Sequence, residues 1–553
     1  MFRGCFRLGA WLSSALTLVA ASVTMADAPI GPVHVKVRAQ VLHRIDSRLF
    51  GQFMEKASWG SEIGSETAVI PGTHELRPQA KELIRQMQIP VVRFPGGTDA
   101  DYIDWLDMID RVPGRSGGRP LTTGHTGNQV TNYFGYDEFL RFCEELKMEP
   151  VIVVNFRDGL FAADGARRAA HHAAQLVAYC NAEADAALPD DLATWPRLRA
   201  ANGHPRPYGV NYLQIGNETW AFANKVSEEQ YLIALEAYLD AIRRVDPGLC
   251  VIVDGQPPER ALRVQQRLGD RINYYAVHHY QPWQIREIRR GDAQVDAATL
   301  SDKDLWYAWV TLPQIAPDGQ SCLQRSELDQ ARNRHYKVAM TEWNWNGWWG
   351  PEIREQVTFD SLFAKGIGAA GILHAIMRQG DVVELATQSM LIGDGWKIHA
   401  IWCDRTGQTP PQMLPSGQVT MLYSQHHGTR RLQVDVADMP RYDQPFRLAG
   451  IGPAHQVAYL DVLATRDDEK LYLHVINRHF DQTVTMQVDL SALDGRAGTK
   501  GTLHILEGRL NNPPPNSETL ASAQIRKATF DIAGEEFTVH LPHRSVVVVE
   551  VPH

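Results

Sequence analysis

A (β/α)8 barrel followed by an antiparallel β-sandwich is the fold the sequence predicts, on three observations. Eight short apolar runs alternate with helical patterns between about residues 46 and 395. Nearly every one of those runs ends on a polar or charged residue. After about residue 415 the texture changes to alternating apolar and polar segments separated by Gly, Pro, Asn and Asp. An open doubly wound sheet competes for the first part, but no glycine-rich nucleotide loop follows the first strand.

Taken in order, the chain opens with Arg3 and Arg7, an apolar stretch at 10–21, and small residues leading to Ala26. This predicts a secretory signal peptide over residues 1–26, cleaved after Ala26, and an exported mature protein. The apolar core is shorter than the roughly 20 residues of a spanning helix, so membrane insertion of the mature chain is not expected. Within residues 27–45 the strand-like HVKVRAQ (34–40) is expected to join the sandwich. Barrel strands are expected at 49–54, 91–94, 150–155, 211–215, 249–254, 274–279, 338–341 and 382–387, with helices such as 78–87, 136–146 and 228–245 between them. The barrel is assigned to 46–395 and the sandwich to 396–553. Sandwich strands are expected at 432–436, 471–476, 483–488, 502–506 and 544–551, with a rigid exposed loop at 511–517 around Pro513, Pro514 and Pro515.

The composition is that of an ordinary globular protein, with 44% hydrophobic and 22% charged residues among 553. A formal charge of −9 argues against a nucleic-acid or anionic-membrane partner and fits a neutral substrate. Cys5 falls in the signal, leaving Cys143, Cys180, Cys250, Cys322 and Cys403. An odd number with irregular spacing and no CxxC pair makes neither a disulfide framework nor a metal pattern, and Cys143 and Cys250 read as core residues.

Catalytic groups of a barrel belong at the carboxyl ends of its strands. Here those ends carry Glu55, then Arg93 and FPGGTDAD (94–101), Asn155, Asn217 with Glu218, Asp254, His278 with His279 and Tyr280, Glu342, and Gln388. Glu218 and Glu342 each close a strand with a tryptophan close behind. On strands four and seven they face each other across the barrel mouth. Glycoside hydrolysis needs such a pair, one carboxyl as acid/base and the other as nucleophile or base, about 5–5.5 Å apart for retention and about 6.5–9.5 Å for inversion. Asn217, beside the acid, can donate its amide to a sugar hydroxyl. Strand alternation puts His278 and Tyr280 on the inward face. No acidic or histidine partner stands at ligand spacing, so no metal is expected. The tryptophans at 343, 345, 348 and 349 suit the flat faces of a sugar or a packed core. Trp59, Trp283, Trp306 and Trp309 are subsite platforms or packing, and Asp99 and Asp101 are sugar acceptors or a solvated turn. His171 and His172 read as surface residues of an alanine-rich helix.

Six pieces in order, FGQFME (50–55), VRFPGG (92–97), LQIGNE (213–218), VHHY (277–280), TEWNW (341–345) and ATQ (386–388), resemble the clan A retaining glycosidases. Within that clan the chain is similar to the α-L-arabinofuranosidases of glycoside hydrolase family 51. The resemblance implies Glu218 as acid/base and Glu342 as nucleophile in a double displacement at a terminal α-L-arabinofuranosyl residue of a plant polysaccharide or oligosaccharide. It implies that Glu55, Asn217, Tyr280 and Gln388 hold the sugar, and that Arg93 lies beneath the nucleophile and keeps it ionised. Thr98, Asp99, His278 and Trp345 complete the expected substrate-binding set. It implies no cofactor, and relatives of this kind often form homo-oligomers. Two features depart from the family: Thr98 stands where Asn is usual, and TEWNWNGWWG is unusually rich in tryptophan. Alternatives are a clan A enzyme acting on a β-xyloside, β-glucuronide or β-glucan, and a carbohydrate-binding protein without catalysis.

Overall fold

The computed structural model describes residues 30–552 apart from 60–61, 162–164, 223–224, 312–324, 358–361, 450, 494–497 and 509–522. The signal segment with its cleavage position, Cys322 and the proline loop at 511–517 therefore lie outside the described residues.

Eight parallel strands close into a barrel. They are β1 (Gly51–Phe53), β2 (Val91–Phe94), β3 (Glu149–Val154), β4 (Tyr212–Ile215), β5 (Cys250–Asp254), β6 (Tyr274–Tyr280), β7 (Lys337–Asn344) and β8 (Val383–Ser389). The first strand is shorter than its apolar run because Asp46 caps a 3-10 turn over Ser47–Phe50. Each strand is followed by a helix that returns the chain, as a parallel pairing requires. These are α1 (Pro78–Met87), α2 (Tyr136–Leu146), α3 (Ala166–Asn181), α4 (Glu228–Val245), α5 (Pro258–Leu268), α6 (Arg325–Arg334), α7 (Leu362–Met377) and α8 (Pro415–Gln425). Ser227 and Gln230 form a capping box at the start of α4.

The boundary expected at residue 395 cuts the barrel short. Its eighth helix, α8, packs on α7 and α1, and a small three-stranded sheet intervenes between β8 and that helix. The helix is hard to see in sequence because it is covered on several sides and shows no clean apolar stripe.

Inside the barrel, the period-2 alternation of the strands sorts chemistry by height. The lower layer is Val91, Val151, Tyr212, Ile252, Tyr274, Ala276, Ala339 and Leu385. Two residues further up, the same inward face becomes polar, with Arg93 above Val91 and Gln214 above Tyr212. The apolar layer plugs the barrel and leaves the upper layer to form a site.

The β-rich region is one nine-stranded sheet that folds over on itself to enclose a core. Besides the five expected strands it contains Leu460–Arg466, Ala523–Asp531 and Glu536–Leu541. The N-terminal strand Ile30–Arg44 lies inside this sheet, third from one edge, antiparallel to β9 (Arg430–Ala437) and parallel to β12 (Val484–Ala492), with β10 (Leu460–Arg466) and β11 (Lys470–Asn477) between those two in sequence. That pairing with β12 is the exception to an antiparallel pattern. Alternation divides the last strand, β16 (Ser545–Pro552), which follows β13 (Lys500–Gly508), β14 (Ala523–Asp531) and β15 (Glu536–Leu541). Val547, Val549 and Val551 enter the core within the folded sheet, and Val546 and Val548 pack toward the barrel. Among the described residues no helix is long and apolar enough to cross a membrane.

Candidate active site

The carboxyl ends of the strands surround a cleft of about 860 Å³ lined by Glu55, Gly97, Thr98, Glu218, Tyr280, Glu342 and five tryptophans, Trp59, Trp283, Trp348, Trp349 and Trp396. Glu342 reaches it through an irregularity of β7. Ala339 faces the barrel interior, so strict alternation would turn Glu342 outward. Against β6, however, Ala339 lies opposite Ala276 and Glu342 opposite His278, three residues on one strand against two on the other. This extra residue is a β-bulge, and it re-aims the carboxylate inward.

Arg93, fully buried, organises the floor with three short hydrogen bonds and a longer one from Nη1 to the Thr341 carbonyl at 3.5 Å. Its Nη1 donates to Glu342 Oε1 at 2.9 Å, its Nη2 to Asn217 Oδ1 at 2.6 Å, and its Nε to Gln214 Oε1 at 2.8 Å. Tyr280 donates its hydroxyl to the other oxygen of Glu342 at 2.7 Å. Burial pushes the Glu342 carboxyl up, but the charges of His278 and Arg93 and the hydrogen bond from Tyr280 outweigh it and leave the group below its ordinary range. Because Asn217 Oδ1 is taken by Arg93, its amide nitrogen is left buried without a partner.

Glu218 sits at the end of β4 with φ of +46°, a left-handed conformation uncommon for a non-glycine residue, just after Gly216 at +74°. Two buried carboxylates hold this turn. Asp101 accepts the backbone N–H groups of Asn217, Phe156 and Arg157, tying the ends of β3 and β4 together. Asp254 accepts the Thr219 hydroxyl and the Trp220 N–H. His278 bridges the two candidate catalytic groups, with Nδ1 3.0 Å from Glu218 Oε1 and 3.6 Å from Glu342 Oε2, and Nε2 3.0 Å from the Thr341 hydroxyl. Burial opposes a charge on His278, yet Glu342 and Glu218 raise it overall. Its neighbour His279 lies on the other face, and burial alone lowers it to about 4. An oxygen of Glu218 and one of Glu342 lie within 4.8 Å of each other and of a His278 nitrogen. Three such donors could hold a metal by distance. Here, though, the relevant atoms of Glu342 and His278 already hold hydrogen bonds, and the set fits acid–base chemistry.

Burial and the charges of Glu342 and Asp99 push the Glu55 carboxyl well above its ordinary range. Gly97 is required beside it, because a Cβ there would stand 2.6 Å from Glu55 Oε1 and 3.5 Å from Glu342 Oε1.

Several expected site residues lie elsewhere. Trp345 is buried against Gly368 of α7, where a Cβ would meet its indole at 2.3 Å, and it packs in the core. Its ring is excluded from the cleft because the bulge that turns Glu342 inward sends Trp343 and Trp345 into the helix layer. Gln388 lies in the floor, accepting from Gln52 at 3.0 Å and from Thr420. Asp99 and Asp101 do not form a solvated turn. Both are buried, and Asp99 Oδ1 is engaged by Ser58, His125 N and His125 Nδ1. Trp306 and Trp309 are fully buried packing. Trp59 and Trp283 flank the cleft and are about half exposed. Trp396, in the loop after β8, is the site residue the sequence reading does not reach; the GDGW turn just beyond Gln388 is the available signal for it. The aromatic rim runs Trp59–Trp396–Trp348–Trp283–Tyr280, with neighbouring ring centroids 5.1–6.4 Å apart.

The family described as "Alpha-L-arabinofuranosidase 1 domain" matches residues 83–297, from α1 through β6 and including Arg93, Asn217, Glu218 and His278. Over those residues the chain is similar to α-L-arabinofuranosidases. A probable alpha-L-arabinofuranosidase C of Aspergillus niger is 30% identical over 235 residues, a match that spans 42% of either chain. An intracellular exo-alpha-(1->5)-L-arabinofuranosidase of Halalkalibacterium halodurans is 23% identical over 494 residues, 84% of this chain and 86% of that one. Among solved structures, the alpha-L-arabinofuranosidase of Thermotoga maritima in its arabinose complex aligns with a TM-score of 0.68 at 22% identity, covering 94% of this chain and all of that one. That likeness shows the fold.

Proposed function

We propose that the protein is a retaining glycosidase that releases terminal α-L-arabinofuranosyl residues from plant polysaccharides or their oligosaccharides. The spacing of Glu218 and Glu342 carries this reading. Oxygens within 4.8 Å of each other match the ~5–5.5 Å between carboxyls of retaining enzymes and leave no room for the water that inversion needs. The arabinofuranosyl preference is supported by the relatives.

Glu342, kept ionised by Arg93 and Tyr280, attacks the anomeric carbon. The glycosidic C–O bond breaks with its electron pair going to the leaving oxygen, which takes the proton of Glu218. Glu218, deprotonated by that transfer, then serves as base for the water that frees the sugar and restores Glu342. The unpartnered amide nitrogen of Asn217 is a donor for the hydroxyl next to the reacting carbon, and Glu55 can hydrogen-bond a second hydroxyl. The tryptophan rim gives the aglycone apolar surface to lie on.

Release of nitrophenol from the aryl α-L-arabinofuranoside, against the aryl xyloside, glucuronide and glucoside, tests the sugar, with product NMR reporting stereochemistry. No turnover on any of them removes the enzyme reading. Glu342→Ala should lose turnover, and azide should then yield a glycosyl azide of inverted configuration. An undiminished rate in that variant would reject the nucleophile.

The same reading takes the mature chain out of the cytoplasm, on the strength of Arg3, Arg7 and the apolar stretch before Ala26, although the Halalkalibacterium relative is described as intracellular. Sequencing the N-terminus of protein purified from its native host tests export, and an intact Met1 overturns it.

A further inference from the structure

A second convergence of donor groups lies far from the cleft, at the seam between α8 and the folded sheet. His426 follows α8 directly. Opposite it, Glu550 on β16 pairs with Thr502 on β13, so His504, two residues along β13, presents its side chain on the same face as Glu550. His426 Nδ1 is 3.2 Å from Glu550 Oε2 and His504 Nε2 is 3.3 Å from that same oxygen. The two imidazoles lie with centroids 3.7 Å apart at 33°. One donor atom from each of the three residues falls within 4.8 Å of the other two.

His504 is 3% exposed, and both of its ring nitrogens lack a hydrogen bond, even though Nε2 stands so near the carboxylate. A buried polar side chain left in that state asks for a partner. The second oxygen of Glu550 is held by Lys470 Nζ at 2.6 Å, which fixes the carboxylate with Oε2 turned to the imidazoles. Lys527 is the other cation facing the pair. This differs from the Glu218–His278–Glu342 group, whose donor atoms are engaged by Arg93, Tyr280 and Thr341.

We propose that His426, His504 and Glu550 form a binding site for a first-row divalent cation, Zn2+, that joins the barrel to the sheet. Ligands bound tetrahedrally at about 2.0–2.2 Å stand ~3.3–3.5 Å from one another. The two N···O separations agree with that geometry. Two neutral imidazoles and a carboxylate suit Zn2+, whereas Mg2+ and Ca2+ demand mostly oxygen. The side chains of His426 and Glu550 are 16% and 15% exposed, so the fourth position opens to solvent and an ion can enter. Lys470 acts as the group that orients the ligating carboxylate.

The test uses the full chain, stripped with chelator and then titrated with ZnCl2 by calorimetry, with CoCl2 as a spectroscopic probe. One equivalent should bind, Co2+ should give the intense visible absorption of a tetrahedral site, and Zn2+ at about a hundredfold excess over Kd should raise Tm by roughly 2–5 °C. His426→Gln, at a partly exposed position, and Glu550→Gln should each abolish the equivalent and the shift, while Glu342→Gln in the cleft should keep both. Circular dichroism confirms that each variant is folded. Absence of binding at ~100 μM Zn2+, binding untouched in His426→Gln and Glu550→Gln, or binding lost in Glu342→Gln would each overturn the proposal.

Discussion

Two substitutions in the cleft separate charge control from space. Tyr280→Phe removes the hydroxyl that donates to the buried Glu342 carboxylate and that also meets Ser389. A hydrogen bond to a charged group contributes about 1.5–3 kcal/mol, so kcat/KM should fall about 10–100-fold. The pH profile gives the sharper test. Glu342 lies below its ordinary 4.5, so its charged form persists as pH falls past that value and is lost only on passing the depressed one. Tyr280→Phe withdraws one of the interactions that favour the charge, so the acid limb of kcat/KM should move up in pH. An unmoved limb means that Tyr280 does not set the nucleophile. Gly97→Ala acts differently, placing a methyl 2.6 Å from Glu55 Oε1 in the space beside Glu342. We expect kcat/KM to drop at least ~100-fold with an unchanged melting curve; steady-state kinetics and thermal melting of the same preparation check it.

At the scale of elements, the turn carrying Glu218 depends on carboxylates that never meet substrate. Asp101 accepts three backbone N–H groups from the ends of β3 and β4, and burial raises it to about 6. Asp101→Ala orphans those donors, so denaturant unfolding should show a loss of about 2–4 kcal/mol together with a fall in kcat. A stable variant with full activity would mean that the turn holds itself. This dependence was not legible in the sequence, where Asp101 is one acidic residue in FPGGTDAD, because its partners are backbone groups some 55 and 116 residues away. What could be read were the apolar runs of the eight strands and the polar residues ending them, since both follow from local periodicity. The β7 bulge could not be read, and it decides that Glu342 rather than Thr341 faces the cleft. For the same reason Trp345 was expected at the sugar and lies under α7. The helix α8 escaped because residues buried all round show no period.

Across the whole molecule, barrel and sheet share a continuous apolar core. Trp306, Ile372 and Tyr423 from the barrel side pack with Ile476, Leu506, Val546 and Val548 of the sheet. Within this seam Asp461 of β10 is held well below its usual range: burial opposes the charge, but Arg378, His374 and Arg478 outweigh it. Breaking such a buried cluster costs about 3–5 kcal/mol, so neither part is expected to unfold while the other stays native. Scanning calorimetry of the full chain should show a single transition. Two resolved transitions would make the parts independent.

The strand Ile30–Arg44 gives this architecture a history as well as a shape. Its partners β9 and β12 lie roughly 400 and 450 residues further along the chain. At translation rates of about 5–20 residues per second, the strand waits some 20–90 seconds between its own synthesis and that of its neighbours. During that interval Val33, Val35 and Val37, which the finished fold covers completely or nearly so, have nothing to pack against. In a nascent chain these three valines therefore stay without their sheet partners through most of synthesis. Completion is gated by the last strands to be made, however early the barrel acquires its shape.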